Sequence, residues 1–210
     1  MHQIRCNCIN RELFSMKKIL PIRQILPKAK QLSNNIKYID QAKIDEVIKE
    51  ARQFPKYRLP ILLNNSFSEV PQRFVNCLTK FTYVRPHNHI FTGNWELMSW
   101  IAGIVHVIFF DEKGKIINKM KMSQDGLKVL EIPPEIYHTF ITNDFGVYLE
   151  IRNCSYEPDF DRTYAIWSPN EKHAESSLYL ERLRHAKEND TVTIQTYDSK
   201  GEQQLSTDNL

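Results

Sequence analysis

Apolar positions Ile39, Ala42, Ile44, Val47, Ile48 and Ala51 recur at three- and four-residue intervals, the rhythm of a helix that buries one face. This spacing predicts a helix over 39–54 with Asp40 as its N-cap and Pro55 as its stop. A mixed stretch over 57–73 follows, with turn signals at Pro60 and Asn64-Asn65. From residue 73 to about 152 the pattern becomes a series of short runs rich in Val, Ile, Phe, Tyr and Thr, at 73–84, 95–103, 104–111, 115–123, 127–132, 137–142 and 146–152. Turn signals divide them at Thr92-Gly93-Asn94, 111–114, Gln124-Asp125-Gly126, Pro133-Pro134 and 143–146. Strands so spaced, without helical patterns between them, predict a mainly β fold: an antiparallel sandwich or small barrel. Beyond Trp167 the helical rhythm returns over 168–188, with Ser168 three residues before Glu171 as a start signal and Leu178, Leu180 and Leu183 on the apolar side. Residues 191–197 fit one further strand, and the polar 199–210 segment is expected to be disordered.

Composition narrows the class. The 210 residues suffice for one sizeable core, and 41% hydrophobic with 25% charged residues exclude a disordered, collagen-like or coiled-coil chain. The formal charge of +3 is too small to imply a nucleic-acid partner for the whole surface. Residues 1–36 are more basic, with Arg5, Arg11, Lys17, Lys18, Arg23, Lys28 and Lys30 against Glu12. They lack interleaved aromatics and any nucleic-acid-binding motif. The expected reading is a solvated flexible arm, the alternatives being a transit peptide or a true start at Met16. No run of about 18 apolar residues provides a membrane span, and no continuous apolar region marks a secretory signal. Cys6, Cys8, Cys77 and Cys154 form no Cys-x-x-Cys pair, which excludes zinc knuckles and thioredoxin-like motifs. Cys77 and Cys154, single in apolar runs, favour a reducing compartment.

The chemistry concentrates in Tyr83-Val84-Arg85-Pro86-His87-Asn88-His89. Residues two apart on a strand face one side about 7 Å apart, and two imidazoles so placed converge on one metal. Glu96 opens the next strand after the 92–94 turn, and His138 opens another after Pro133-Pro134. Three imidazoles and a carboxylate on neighbouring strands would hold one divalent transition metal: Fe, Mn, Ni, Cu or Zn. A bare His-x-His is often two surface histidines. The carboxylate seven residues on, the glycine seven further at Gly103 and the Pro-rich turn before a third histidine favour a metal site.

These residues resemble the motifs of the cupin superfamily: two His, a Glu and a Gly in the first (His87, His89, Glu96, Gly103), and a Pro-containing turn before a His in the second (Pro133, His138). Glu96 comes about two residues late, which a longer turn at 91–94 absorbs, and Glu135 replaces the turn glycine. More narrowly, residues 39–171 resemble the WbuC family of cupin-fold metalloproteins. The shared residues include Ala51, Arg58, Gln72-Arg73, Tyr83 to His87, Phe110-Asp111 with Gly114, Tyr137-His138-Thr139, Glu150, Tyr156 with Pro158, and Ala165, Trp167, Pro169 and Glu171. Ser66 and Phe67 stand where that family has a His after its Asn, and Cys154-Ser155-Tyr156 replaces Gly-Pro-Tyr. The resemblance implies a jelly-roll barrel over 37–171 with an N-terminal helical lead-in, between the arm of 1–36 and a C-terminal extension of 172–210. It also implies a bacterial cytoplasmic protein associated with surface polysaccharide synthesis, and no defined reaction.

Other polar residues complete the expectation. Arg85 is placed to bind a substrate carboxylate or phosphate, with Arg58 and Arg73 as further anion contacts; the alternative for each is a rim salt bridge or solvation. Tyr83 and Tyr137 are candidate proton donors or acceptors. His106 is the spare ligand, and Glu150 the group that would orient an imidazole N–H. The preferred function is a metal-dependent isomerase or epimerase acting on a sugar or nucleotide-sugar, with an Fe-dependent dioxygenase as rival and a non-catalytic sugar-binding or structural-metal module as the alternative class. Sheet edges that need covering predict a homodimer.

Overall fold

The computed structural model of the protein describes residues 30–31, 36–156, 161–194, 196–197 and 203–204. The expectations for the basic arm and the Met16 start, for Cys6 and Cys8, and for Pro158 fall outside these residues, as does most of the polar C-terminal segment. The elements are β1 (Lys30–Gln31), α1 (Gln41–Ala51), β2 (Arg58–Leu62), β3 (Gln72–Thr79), β4 (His87–Asn88), β5 (Glu96–Gly103), β6 (Val105–Phe110), β7 (Ile116–Met122), β8 (Val129–Ile132), β9 (Tyr137–Ile141), β10 (Phe145–Arg152), β11 (Thr163–Tyr164), α2 (Ser176–His185), β12 (Thr196–Tyr197) and β13 (Gln203–Gln204). Asp40 caps α1 by accepting the Lys43 backbone N–H at 2.9 Å. The helix stops at Ala51, before Pro55, because Gln53 and Phe54 turn their N–H groups back to the Glu50 and Ala51 carbonyls.

The strands form two main sheets, ordered β1-β2-β3-β10-β5-β8 and β11-β4-β9-β6-β7. Between β3 and β11 the chain passes repeatedly from one sheet to the other, with only β6 and β7 consecutive within one, and this alternation is the two-layer arrangement of a jelly roll. Strand periodicity then divides the apolar residues among three layers. Leu78, Val84, Met98, Val107, Phe109, Phe140 and Tyr148 pack in one cluster between the sheets. On the first sheet's outer face Val75, Cys77 and Val147 meet Ile44, Val47 and Ala51 of α1. On the second sheet's outer face Ile108, Phe110 and Ile141 meet Tyr179, Leu180 and Leu183 of α2.

Two local expectations are corrected. The Ser168/Glu171 pair does not start the C-terminal helix: Ser168 Oγ donates to the Ala165 carbonyl at 2.9 Å, and Glu171 pairs with Lys56 and Arg58. The helix instead begins after Glu175, without a side-chain cap. The last polar segment also contributes Gln203–Gln204 to a two-stranded ladder with Thr196–Tyr197.

Gly103 shows why the β5–β6 corner needs glycine. Its φ is +69°, and a Cβ there would collide with the Phe145 carbonyl oxygen.

Candidate metal centre

The two sheets approach at one end with their polar residues facing inward. From the second sheet, His87 on β4 stands opposite His138 on β9, and His89 follows two residues after His87. From the first, Glu96 opens β5 directly opposite Arg152 on β10. All four candidate ligands are 0–1% exposed, and their donor atoms lie within 4.8 Å of one another. Glu96 Oε1 is 2.9 Å from His89 Nε2, and its Oε2 is 3.1 Å from His138 Nε2.

Each imidazole is held by its other nitrogen. His87 Nδ1 donates to the Arg85 carbonyl at 2.8 Å, His138 Nδ1 to the Ile136 carbonyl at 2.9 Å, and His89 Nδ1 to the Asp161 carbonyl. A carbonyl only accepts, so each ring donates from Nδ1, and Nε2 is the nitrogen that faces the shared centre. Those three Nε2 atoms are buried with no hydrogen-bond partner outside the group, and Glu96 has the Arg152 guanidinium beside it. Burial pushes the His87 pKa well below 6.5, and the positive charge of Arg162 adds to the effect. Burial alone would raise Glu96, but the Arg152 guanidinium and the histidines outweigh it and hold the carboxyl well below the usual carboxylate range. Three convergent imidazoles whose buried Nε2 atoms meet an ionised carboxylate fit one divalent transition metal.

Behind the ligands stands a charged layer that the sequence reading missed. Arg152 donates through Nη1 to both Asp161 oxygens at 2.7 Å, and through Nε to Glu150 at 2.6 Å. Its Nη2 lies 2.9 Å from Glu96 Oε1. Glu150 accepts from Asn76 Nδ2 at 2.7 Å. Glu150 was expected to orient an imidazole; the backbone carbonyls do that, and Glu150 fixes Arg152 instead. The available signal was the alternation in β10, which puts Tyr148, Glu150 and Arg152 on one face.

The remaining expected site residues take other places. Tyr83 packs edge-on against Tyr179, its hydroxyl donates to the Pro169 carbonyl at 2.8 Å, and burial raises its pKa. Tyr137 packs against Trp167 on the outer side of β9, where burial likewise raises its pKa. Arg85 donates to Ser168 Oγ and the Ala165 carbonyl, and lies over the Tyr164 ring, 5.2 Å from its centroid. Arg58 joins the Tyr83 carbonyl at 2.7 Å to Glu171 at 2.6 Å. Arg73 pairs with Glu69 at 2.7 Å. His106 is half-buried near Lys119 and Lys121, and it is Glu96, not His106, that joins the three histidines.

A family profile described as "Domain of unknown function (DUF6016)" matches residues 39–122. No curated protein matches the sequence. Similar solved structures include the capsular polysaccharide assembling protein CapF from Staphylococcus aureus, at 21% identity over 46% of this chain and 26% of that one, with a TM-score of 0.39. A cupin 2 conserved barrel domain protein from Rhodopseudomonas palustris shares 16% identity over 50% of this chain and 64% of its own, with a TM-score of 0.39. The epimerase RmlC from Legionella pneumophila, in complex with dTDP-4-keto-L-rhamnose, shares 16% identity over 46% of this chain and 54% of its own, also with a TM-score of 0.39. In each case the chain spans less than two thirds of the other protein.

Proposed function

We propose that this protein is a cytoplasmic metal-dependent cupin enzyme that isomerises or epimerises a sugar or nucleotide-sugar intermediate of surface polysaccharide synthesis. The observation that carries the metal is the convergence of three unsatisfied Nε2 atoms on the Glu96 carboxylate. The association with surface polysaccharide synthesis is supported by the WbuC-like pattern over 39–171. When bound, a divalent ion supplies Lewis-acid polarisation of a carbonyl or hydroxyl oxygen. The chain's own residues provide the rest. Backbone carbonyls hold the imidazoles in the binding tautomer, and Arg152 keeps Glu96 ionised. Glu150, raised above the ordinary carboxyl range by burial and facing inward on β10, is the candidate base for a proton next to a carbonyl. Tyr148, two residues before it on the same face, is held protonated by burial and by Glu150, and serves as the matching donor. A homodimer is part of this reading: the β8 edge carries Val129 at 57% exposure and Leu127, just before it, at 40%.

The test is a panel of keto- and nucleotide-sugars incubated with the metal-loaded protein in D2O and followed by NMR. The proposal expects deuterium to enter at the carbon beside a carbonyl, with the rate falling at least tenfold in Glu150→Gln. No exchange with any member of the panel, despite bound metal, would favour a second reading. In it the ion is structural, a role that the 0–1% exposure of all four ligands suits.

A further inference from the structure

His87 and His138 are each held by a carbonyl two residues earlier in the chain, just before the strand that carries them, so their orientation is local. His89 differs: its Nδ1–H is accepted by the carbonyl of Asp161, 72 residues away, between β10 and β11. The same Asp161 presents its carboxylate to Arg152, with both oxygens 2.7 Å from Nη1. Arg152 Nη2 reaches Glu96 Oε1 at 2.9 Å, and that oxygen is 2.9 Å from His89 Nε2. The contacts therefore close a ring, His89–Asp161–Arg152–Glu96, that includes two of the four candidate ligands and ties β5 and β10 of the first sheet to the segments that follow β4 and precede β11.

We infer that Asp161 is a positioning residue of the metal centre: through Arg152 it locks the separation and orientation of His89 and Glu96. This rests on the metal-centre reading. The charge count supports the assignment. Arg152 faces three carboxylates, those of Glu96, Glu150 and Asp161, in a layer where it is 3% exposed and they are 1%, 3% and 3% exposed. Among the described residues a further guanidinium, on Arg162, is 3.5 Å from Asp161 and more exposed. Each carboxylate thus has a distinct task. Glu96 faces the ion, Glu150 fixes the Nε side of Arg152, and Asp161 fixes its far end while its carbonyl turns His89. Because one residue makes both of the last two contacts, a change in its carboxylate reaches a ligand ring it does not touch through its side chain.

The experiment titrates metal-free protein with Co(II), reading affinity by chelator competition and geometry by the visible absorption bands. Wild type is compared with Asp161→Asn, which keeps the backbone carbonyl but loses the charged clamp, and with the distant exposed-pair variant Asp144→Asn. Asp161→Asn should bind Co(II) about 10- to 100-fold more weakly, with shifted bands, while Asp144→Asn matches wild type. If Asp161→Asn fails to fold by near-UV circular dichroism, Arg152→Lys, which keeps a cation but loses the fork, carries the same expectation. Wild-type affinity and unshifted bands in a folded variant would overturn the inference alone. A wild type that binds no Co(II) would overturn the metal-centre reading and this inference with it.

Discussion

His87 is completely buried, and both burial and the surrounding positive charge keep its imidazole neutral in the folded protein. The unfolded chain takes up that proton near pH 6.5, whereas the folded chain does so only well below it. Below pH 6.5 the unfolded state therefore binds more protons, and acid removes stability. The expected loss from this one residue approaches about 1.4 kcal/mol per pH unit below that point in metal-free protein. Urea midpoints at pH 7.5 and 5.5 check it: the difference should shrink in His87→Ala, and an unchanged difference would assign the acid sensitivity elsewhere. At this scale the grouping of His87, His89, Glu96 and His138 was legible in the sequence because His-x-His, a carboxylate and a His after a Pro-rich turn form a pattern that neighbouring strands bring together. Arg152 and Asp161 were not, since their meaning lies in pairing across distant segments. Tyr83 lies in 80–86, which is not strand, and its hydroxyl is committed to the Pro169 carbonyl. Tyr137 adjoins His138 on β9, and adjacent strand residues face opposite ways.

At the level of elements, Gly103 and Lys119 are the positions where one side chain decides a junction. Gly103→Ala combines a positive φ with a backbone collision at Phe145, so a loss of about 2 kcal/mol or more is expected in chemical denaturation. Lys119 Nζ donates to the Leu183, Arg184 and Ala186 carbonyls at 3.1, 3.1 and 2.9 Å, satisfying the end of α2 from β7. Lys119→Met should cost about 1–3 kcal/mol and lower Tm, whereas an unchanged Tm would show that water satisfies those carbonyls equally well. Most strands from 73 to 152 were legible because apolar runs alternate with turn residues there. β2 was not, because Pro60 read as a turn. The strand tolerates it because β1 pairs only with Ile61 and Leu62, leaving no ladder bond on that side for Pro60 to supply. The Ser168/Glu171 pair matched a helix start in type and spacing, yet the Ser168 hydroxyl turns back to the Ala165 carbonyl and Glu171 pairs with the distant Arg58.

Across the whole molecule, two sheets with apolar layers inside and out bring one polar end together, and the resulting group of buried donors gains most from a cation. Bound metal should stabilise the fold by about 2.7 kcal/mol at a hundredfold excess over Kd, seen as a chelator-reversible rise in Tm. Equal Tm with and without chelator would separate the site from the stability of the barrel. The central claim is that His87, His89, Glu96 and His138 hold one ion, and elemental analysis tests it most directly. Wild type, His87→Ala and His138→Ala would be purified without added metal, each shown to be folded by near-UV circular dichroism. One divalent transition metal per wild-type chain and almost none in either variant is the predicted result; equal metal content in all three would contradict it.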